Sequence, residues 1–442
     1  MKTIPKVRLC ASLSSVEDME HIEKADMAEI RLDILGFVPE AKGKNILVTF
    51  RDTPDLSALP KGFKGMIDVG EHDVPDIGAD VVSSIHNYDS TPPAEEITGL
   101  LENMKGDVVK GAFRINSFSD LKSLYGASRS IGKRHVLLGM GELGTVTRIR
   151  SDILRNEFTF AYVGNPTAPG QLSLEEMSHL GHDPMVIGIV GHPLEKSLSP
   201  KMHNAVMKKI GVKGIYLKFD AESLEHIGDV VRNYGIRGLN VTVPHKSAIL
   251  EHLDSVDGNA EAAGAANTIV NDDGKLKGYN TDIVGIEGAM RLAEFDPEGK
   301  RALIMGSGGA ARACAFVLKE KGCRVTVTGR NEETAHSICR DFGCGFQPKD
   351  SIALMLHDLV VNCTPVGMYG SGDYPVSMCQ LTPRHTVFDM VYGAETPLVS
   401  KAKEAGARII SSEDMLAAQG AASLEMWTGK GDLFKLMKEA LN

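Results

Sequence analysis

The sequence predicts an α/β protein whose two halves differ, with a trimmed (βα)8 barrel first and a half containing a dinucleotide-binding βαβ unit second. Residues 1 to about 180 alternate short apolar segments with helix-forming ones in a rhythm of eight strands. Within residues 301–330 a glycine turn joins an apolar segment to an Ala-rich helix and a valine-rich strand. The 442 residues suffice for two or three domains with sizeable cores.

The barrel strands are predicted from short apolar or alternating segments bounded by polar residues. They are residues 7–13, 27–34, 46–50, 66–69, 81–88, 108–113, 135–140 and 158–163. The connections that follow Ile34, Phe50 and Val69 are too short for full helices. We therefore expect a barrel that lacks part of its helical cover.

Charged residues in this half fall on or near the C-terminal parts of the predicted strands. In the segment AEIRLD, Glu29, Arg31 and Asp33 alternate with apolar residues, so all three are expected on one strand face. Arg51, His86 and Lys110 end or lie within later strands: ILVTFR, VVSSIHNY and VVKGAF. Barrel enzymes carry their chemistry at these strand ends. The alternative is a structural layer of core polar groups that form salt bridges and hydrogen bonds with one another. A single such residue would support that alternative, but the whole set supports an active site.

Lys110 is the candidate nucleophile of this half. A lysine among cations and apolar walls has its neutral form favoured, and a neutral amine attacks a carbonyl. A Schiff base at Lys110 would be an electron sink for removing a proton from the adjacent carbon, with His86 as the natural base. These residue types do not distinguish an aldolase from a dehydratase.

The motifs EIRLD, VTFR, SIHNY, the strand lysine, GMGELGTVTR and TAPGQ together resemble type I 3-dehydroquinate dehydratase over residues 7 to 172. The resemblance implies that Lys110 forms the imine with the substrate ketone. His86 would remove the neighbouring proton and assist loss of water, with Glu29 orienting it. Arg148 would bind the substrate carboxylate. The other implied pocket residues are Ser12, Arg31, Arg51, Met140, Thr167 and Gln171, of which Thr167 replaces a common Ser and keeps its hydroxyl.

The βαβ unit of residues 301–330 predicts a nucleotide site. Gly306 allows the tight turn, Gly308 lets the backbone approach a pyrophosphate, and Ala311 permits close helix–strand packing. The second strand is followed by Arg330 where an NAD site would carry an acidic residue, and a guanidinium suits a 2′-phosphate, so the prediction is NADP. The alternative is a glycine-rich turn in another α/β protein.

Several polar residues between Val186 and the βαβ unit are either site residues or residues with a purely local structural role. Ser197 and Ser199 could hold a carboxylate, or Ser199 could cap the helix ahead of Pro200. Lys246, after the segment VTVP, could be a solvated lysine at a helix start. Asn267 and Asp282 lie in turns, whose chemistry alone could explain them.

Taken in order, GxPxxxSxSPxxHN, NVTVPHK, GAANT, GYNTD, GSGGAAR, NCTPVGM, DMVYG and AAQGAASLEMWTG resemble shikimate dehydrogenase from about Val186 onward. The resemblance implies that Lys246 and Asp282 form the catalytic pair, with the lysine hydrogen-bonding the oxygen next to the carbon that receives hydride. The implied substrate ligands are Ser197, Ser199, Thr242, Asn267, Tyr392 and Gln419. The implied cofactor residues are Gly306, Gly308, Gly309, Ala310, Ala311, Arg330, Thr364, Gly367 and Met368. Lys196, where His is frequent, and Gly329, where Asn is usual, depart from the family pattern.

The two resemblances imply three domains and consecutive reactions. The barrel would occupy residues 1–182, a substrate domain residues 183–284 completed by 411–442, and a Rossmann NADP domain residues 285–410. The expected activities are dehydration of 3-dehydroquinate to 3-dehydroshikimate and its NADPH-dependent reduction to shikimate. The alternatives are NAD-dependent quinate or shikimate oxidation, a metabolite-sensing module with vestigial catalysis, and an inactive scaffold barrel fused to a working dehydrogenase.

Composition and charge limit the classes of partner and the cellular location that we expect for this chain. The formal net charge of −10 argues against a general nucleic-acid surface. No apolar segment reaches membrane-spanning length and the first residues lack a signal-peptide core, so we expect a cytoplasmic protein. The 7 cysteines include no CxxC pair, which favours reduced thiols and no metal. Because the barrel is expected to lack part of its helical cover, a second copy of the chain could cover the exposed strands, so a homo-oligomer is possible.

Overall fold

The structure is a computed structural model that describes residues 7–39, 44–166, 168, 170–368, 374, 376–393 and 395–441. Contacts divide it into two compact units, residues 1–187 with 213–236, and residues 188–212 with 237–442. Three sheets carry the fold. The three-domain division expected from the motifs stays a prediction.

The first sheet is an eight-stranded parallel barrel that is nearly closed, with strand order β7-β6-β5-β4-β3-β2-β1-β8. Its strands are β1 (Arg8–Leu13), β2 (Met27–Arg31), β3 (Asn45–Thr49), β4 (Met66–Asp68), β5 (Asp80–Asn87), β6 (Val108–Arg114), β7 (His135–Met140) and β8 (Phe158–Val163). The seam between the end strands uses a side chain, because the Asn156 amide donates to the Leu137 carbonyl at 2.9 Å and accepts from the Leu137 N–H at 2.8 Å. The predicted barrel fold is confirmed.

The helical cover of the barrel is uneven, as the short connections predicted. Its α-helices are α1 (Leu32–Leu35), α2 (Ala94–Asn103), α3 (Phe118–Ser130), α4 (Thr145–Ile149) and α5 (Leu174–Leu180), and 3₁₀ turns lie at Glu17–His21 and Leu56–Ala58. One predicted strand was too long: β2 ends at Arg31, and Leu32 begins α1. Asp33 is therefore a helical residue that binds Arg31, and the strand-face argument extends only to Glu29 and Arg31.

The second sheet has six strands in the order β10-β9-β11-β13-β14-β12. Its strands are β9 (Met185–Gly191), β10 (Gly214–Asp220), β11 (Gly238–Val241), β12 (Ser255–Val256), β13 (Thr268–Asp272) and β14 (Lys275–Tyr279). The helices of this region are α6 (Ser199–Lys209), α7 (Ile227–Asn233), α8 (Gly258–Ala263) and α9 (Thr281–Leu292), with a 3₁₀ turn at Ala248–His252. Helix α7 packs on α3 within the first unit, where the Tyr234 hydroxyl donates to the Leu121 carbonyl at 2.9 Å.

The third sheet is parallel, with the Rossmann order β17-β16-β15-β18-β19-β20. Its strands are β15 (Arg301–Met305), β16 (Arg324–Thr328), β17 (Gly345–Phe346), β18 (Leu359–Asn362), β19 (Thr386–Asp389) and β20 (Arg408–Ile410). The helices are α10 (Gly309–Glu320), α11 (Glu332–Phe342), α12 (Pro397–Glu404), α13 (Ser412–Thr428) and α14 (Phe434–Leu441), and 3₁₀ turns lie at Lys349–Ser351, Leu354–Leu356 and Met378–Gln380. The predicted Rossmann architecture is confirmed.

Candidate active sites

The inward face of the barrel changes from apolar to polar along the strands. Side chains alternate between the two faces of a strand, so residues two apart share a face. Buried Met27, Leu47 and Val108 belong to one apolar cluster. The residues two positions further along are Glu29, Thr49 and Lys110, and all three are buried. Along each strand this polar layer follows the apolar cluster in the direction of the C-terminal end, the end to which the sequence assigned the chemistry.

Lys110 lies in the polar layer as one half of a buried ion pair. Its ammonium is 2.8 Å from Asp68 Oδ2, and both side chains are at most 4% exposed. The Ser84 hydroxyl at 2.6 Å and the Gly70 N–H at 3.0 Å donate to Asp68 Oδ1. Burial raises the pKa of Asp68, but Lys110, Ser84 and Gly70 together lower it below its usual value.

This arrangement corrects the expected surroundings of Lys110. The charge nearest to its ammonium is the Asp68 carboxylate, and not a cation as the sequence interpretation assumed. The face of the Phe160 ring, 5.0 Å away, supplies an apolar wall. Asp68 was missed, although a single carboxylate ending the short apolar strand GMID is the same kind of signal as the one that identified Lys110. A neutral Lys110 amine therefore requires a proton acceptor, and Asp68 is in contact with it.

His86 lies close to Arg51, whose Nη1 is 3.3 Å from His86 Nε2. Burial, followed by the charges of Lys110 and Arg51, lowers the pKa of His86 from 6.5 to about 3. The imidazole is therefore neutral at physiological pH, which is the form that a general base needs.

Glu29 is held by hydroxyl groups. Ser12 donates to its Oε2 at 2.6 Å and Thr49 donates to its Oε1 at 2.8 Å. Among the described residues no hydrogen bond joins Glu29 to His86, so the expected orienting of His86 by Glu29 has no direct contact here. Ser12, which was predicted as a pocket residue, donates its hydroxyl hydrogen to Glu29, and its role toward the substrate stays a prediction.

Arg148 is a buried cation that lacks an ion pair among the described residues. Its relative exposure is 2%, and its Nε, which is also buried, has no hydrogen-bond partner there. Burial, only partly offset by the Glu29 charge, lowers the pKa of Arg148 to about 10. Leaving a charge in this condition is costly unless an anion completes the site. The geometry fits the carboxylate-binding role that the motif implied.

The remaining predicted residues of the barrel are placed as follows. Arg31 Nε donates to Asp33 at 2.7 Å. Met140 is buried in the apolar cluster inside the barrel. The side chain of Gln171 accepts from the Ala168 N–H at 3.1 Å within the loop after β8. Thr167 lies outside the described residues.

The second candidate site contains another lysine–aspartate pair, Lys246 with Asp282. The Lys246 ammonium is bonded to Asp282 Oδ2, and the Asn267 amide donates to Asp282 Oδ1 at 2.8 Å. Asp282 is the second residue of α9, where the helix dipole favours a negative charge. Asn267 in turn accepts from the Thr281 N–H at 2.7 Å, so it connects the pair to the start of the same helix.

A cavity of about 170 Å³ opens beside this pair. Ten of its lining residues were predicted as site residues: Ser199, Thr242, Lys246, Asn267, Asp282, Ala310, Thr364, Met368, Tyr392 and Gln419. Asn240, Ser412 and Leu416 also line it and were missed. Asn240 carried a signal, since it is a polar residue inside the apolar segment GLNV, and its amide donates to Ser423 Oγ at 2.9 Å.

Ser199 is the first residue of α6 and makes no capping hydrogen bond, so helix capping does not explain it. Ser197 has a buried hydroxyl with no hydrogen-bond partner among the described residues. Burial and the negative charge of Asp282 raise the pKa of Tyr392, while Ser197 acts in the opposite direction. The hydroxyl-bearing residues Ser199, Thr242 and Tyr392 line the cavity, which suits a polyhydroxy acid.

The glycine turn is followed by α10. Gly306 has φ +121°, which only glycine adopts readily. A methyl group at Gly308 would meet nothing within 4 Å, so the backbone there is open to a ligand. A methyl group at Gly309, by contrast, would collide with Lys246. Ala311 is fully buried against the sheet, as helix–strand packing requires.

Arg330 is exposed just after β16 and has no side-chain hydrogen bond or ion pair with any described residue. On the other side of the cavity, Thr364 donates to Asn362 Oδ1 at 2.6 Å, and Gly367 has φ +95°. The Met368 carbonyl accepts from Lys196 Nζ at 2.9 Å. The open backbone at Gly308, the N-terminus of α10 and the free guanidinium of Arg330 fit a phosphorylated dinucleotide.

Two negative observations apply to the described part of the chain. Its helices include none with the length and apolar content needed to cross a bilayer. Its His, Cys, Asp and Glu side chains form no group of three or more arranged to hold a metal ion.

Comparison with known proteins assigns both halves. A family model for type I 3-dehydroquinase matches residues 73–182, and one for the shikimate dehydrogenase substrate binding domain matches residues 189–269. The NADP(+) shikimate dehydrogenase of Methanopyrus kandleri is 40% identical over 273 residues, covering 58% of this chain and 94% of the relative.

Solved structures resemble the same C-terminal part. A shikimate dehydrogenase in complex with NADP+ is 37% identical with a TM-score of 0.55, covering 58% of this chain and 94% of that one. The Thermus thermophilus enzyme in complex with NADP(H) and shikimate is 33% identical with a TM-score of 0.54, covering 58% and 98%. The chain therefore belongs to the shikimate dehydrogenase family, to which it joins an N-terminal type I 3-dehydroquinase domain.

Proposed function

We propose that this chain is a bifunctional shikimate-pathway enzyme. Its barrel dehydrates 3-dehydroquinate to 3-dehydroshikimate, and its C-terminal half reduces that ketone to shikimate with NADPH. The observation that carries the proposal is the presence of two separate lysine–aspartate pairs, Lys110 with Asp68 inside the barrel and Lys246 with Asp282 beside a cavity. The product of the first reaction is the substrate of the second, which gives a chemical reason for joining the two enzymes.

In the barrel, the Lys110 amine attacks the substrate ketone, and the resulting carbinolamine loses water to form a protonated imine. Asp68 Oδ2 lies 2.8 Å from the Lys110 nitrogen and accepts the ammonium proton that must leave first. His86, which is neutral because its pKa is about 3, removes the proton from the carbon next to the imine. The resulting enamine expels the hydroxyl group as water, using the proton that His86 returns. Hydrolysis of the imine then releases the product and restores the amine.

Substrate orientation in the barrel falls to the arginines. Arg148, buried without an ion pair among the described residues, binds the carboxylate. Arg31, Arg51 and Gln171 contact the hydroxyl groups, and Thr167, which lies outside the described residues, would add its hydroxyl as the motif implies. Met140 supplies an apolar part of the pocket wall. Glu29, held by Ser12 and Thr49, places a fixed negative charge below the arginines.

In the second half, Lys246 hydrogen-bonds the ketone oxygen and donates a proton to it as hydride reaches the carbon. Asp282 holds the ammonium in place, and Asn267 fixes Asp282 through its other oxygen. Ser197, Ser199, Thr242, Tyr392 and Gln419 bind the carboxylate and ring hydroxyls. All of these except Ser197 line the cavity that Lys246 faces.

NADPH, when bound, supplies the hydride. Gly306, Gly308, Gly309, Ala310 and Ala311 would hold its pyrophosphate at the start of α10, and Arg330 its 2′-phosphate. Thr364, Gly367 and Met368 would line the nicotinamide side. The domain limits implied by the motifs, 1–182, 183–284 with 411–442, and 285–410, complete this proposal.

The decisive experiment follows NADPH oxidation by the purified chain given only 3-dehydroquinate, with 3-dehydroshikimate in a parallel assay. Oxidation in both assays is expected. Oxidation with 3-dehydroshikimate alone would mean that the barrel is inactive, and absence of oxidation with both would overturn the proposal. Borohydride reduction in the presence of 3-dehydroquinate should also trap substrate on the peptide that contains Lys110. A parallel assay with NADH tests the role of Arg330.

A further inference from the structure

The first turn of α10 presses directly against Lys246. A methyl group built on Gly309 would lie 2.7 Å from Lys246 Cβ and 3.1 Å from its Cδ. Real side chains essentially never come this close, so one of the two elements would have to move. The contact is with the root of the lysine side chain, which cannot swing aside as its tip could.

Hydrogen bonds and ion pairs hold both Lys246 and the first turn of α10 in place. The Lys246 carbonyl accepts from the Ala266 N–H at 2.8 Å, and its ammonium is bonded to Asp282. The first turn of α10 is anchored by Arg312, whose Nε donates to the Ala263 carbonyl at 2.8 Å and whose Nη2 is 2.7 Å from Asp341 Oδ2. A substituent at Gly309 would therefore displace Lys246 by several tenths of an ångström or more, since ordinary carbon contacts are about 3.5–4.0 Å.

The backbone gives no reason for glycine at position 309. Gly309 is helical and has no positive φ, whereas Gly306 has φ +121°. Alanine is the better helix former, so glycine here weakens the helix. Gly308, immediately before it, has open space where Gly309 has Lys246. The two adjacent glycines therefore have different tasks.

We propose that Gly309 is a positioning residue for Lys246: its missing side chain is what allows the catalytic lysine to sit at the start of the cofactor helix. Gly308 keeps the separate task of admitting the cofactor pyrophosphate. The proposal rests on the proposed function, in which Lys246 is the proton donor of the reduction. It deepens that function, because a residue of the cofactor motif also sets the geometry of the acid.

The test compares Gly309→Ala with Gly308→Ala in the full chain. Gly309→Ala should lower kcat for 3-dehydroshikimate reduction by about 10- to 100-fold, because misplacing a catalytic group by about 1 Å costs up to about 100-fold. The loss in kcat should exceed any rise in KM for NADPH, although Gly309 also belongs to the turn that would hold the pyrophosphate. Gly308→Ala should show the opposite split, with KM for NADPH raised more than kcat is lowered. NADPH affinity measured by fluorescence titration establishes that the Gly309→Ala site is still folded.

A double-mutant cycle with Lys246→Ala identifies the route of the effect. Gly309→Ala should cost little once Lys246→Ala has removed the ammonium, because the remaining contact with Cβ at position 246 no longer displaces a proton donor, and effects that act through one group are not additive. Full additivity, or a Gly309→Ala variant that changes only KM for NADPH, would overturn the positioning role. If Lys246→Ala alone reduces substrate at the normal rate, the proposed function of Lys246 fails instead, so the two failures are distinguishable.

Discussion

The two lysine–aspartate pairs share a design but differ in what surrounds them. In each pair one carboxylate oxygen contacts the ammonium while the other is held by a neutral donor, Ser84 for Asp68 and Asn267 for Asp282. The Lys110 side chain is 4% exposed inside a barrel, and the Lys246 side chain is 13% exposed beside a cavity. The same pair can therefore support a nucleophile or a proton donor, and the neighbouring groups decide which.

The neighbours of Lys110 favour covalent chemistry, because the Lys110 charge acts on His86, whose pKa is lowered chiefly by burial, so that a neutral base lies near the amine. The neighbours of Lys246 favour proton donation, because the pair of Lys246 and Asp282 lies beside the start of α10, the helix that would hold the cofactor. If this distinction is right, each lysine should be essential to one reaction only.

Replacing each lysine in turn should produce the largest effects. Lys110→Ala removes the imine-forming amine, and dehydration should fall by at least about 10³-fold. Lys246→Ala removes the proton donor, and reduction should fall by about 10²–10⁴-fold. Each activity is measured separately, dehydration by product absorbance and reduction by NADPH oxidation. The unaffected reaction on the same chain is the control, and normal dehydration by Lys110→Ala would exclude the Schiff base.

Arg148→Met should separate binding from stability in the barrel. Loss of a buried, charge-assisted contact to the substrate carboxylate should raise KM for 3-dehydroquinate about 10²-fold or more. The unfolding free energy should rise by roughly 1–4 kcal/mol, because the buried cation has no ion pair among the described residues.

Arg150→Met is the matched control for that change. Arg150 is two residues away and is paired with Asp152 and Asp183, each at 3.3 Å. Its replacement should leave KM unchanged and should not raise stability. Equal KM values for the two variants would show that Arg148 does not bind the substrate.

The sequence predicted the chemistry at Lys110, Lys246 and Asp282 better than the contacts that these residues make. A charged residue at the end of an apolar strand can be identified from the amino-acid sequence alone. Its partner cannot, because Asp68 and Lys110 are 42 residues apart and meet only through the register of β4, β5 and β6. For the same reason the hydroxyl partners of Glu29 could not be read from the chain.

The local sequence pattern also could not predict where strands end or which unit a segment belongs to. Alternation in AEIRLD continues to Asp33, but the chain turns into α1 after Arg31, where Arg31 and Asp33 pair. The segment 213–236 lies within the match to the shikimate dehydrogenase substrate binding domain, yet it clusters with the barrel, where the Tyr234 hydroxyl donates to the Leu121 carbonyl. Helix packing of this kind depends on side chains more than 100 residues apart in sequence.

Asp68→Asn and Asp282→Asn should affect stability to different extents. Asp68→Asn leaves the Lys110 ammonium buried without a carboxylate, which should lower the unfolding free energy by about 3–5 kcal/mol. Asp282→Asn should cost less than half as much, because Lys246 is more exposed and adjoins a cavity. Urea unfolding can follow the two units separately: Trp427, the one tryptophan of the chain, reports the second unit, and dehydration activity reports the first. Equal losses would mean that burial does not distinguish the pairs.

The smallest expected effect is a change in the pH dependence of dehydration caused by Arg51→Gln. The base is neutral His86, so activity is lost as the pH falls through its pKa, which burial, Lys110 and Arg51 hold at about 3. Removing the Arg51 charge weakens one of the causes that lower the pKa of His86, which include Arg31 as well, so this pKa rises and the acid limb of kcat/KM should move up by about 1 pH unit. Arg114→Gln is the control, because Arg114 ends the next strand, where it donates to Asn116, and does not contribute to the shift. An acid limb that stays in place after Arg51→Gln would assign it to a group other than His86. A shift in both variants would point to the net charge of the barrel mouth and not to the contact between Arg51 and His86.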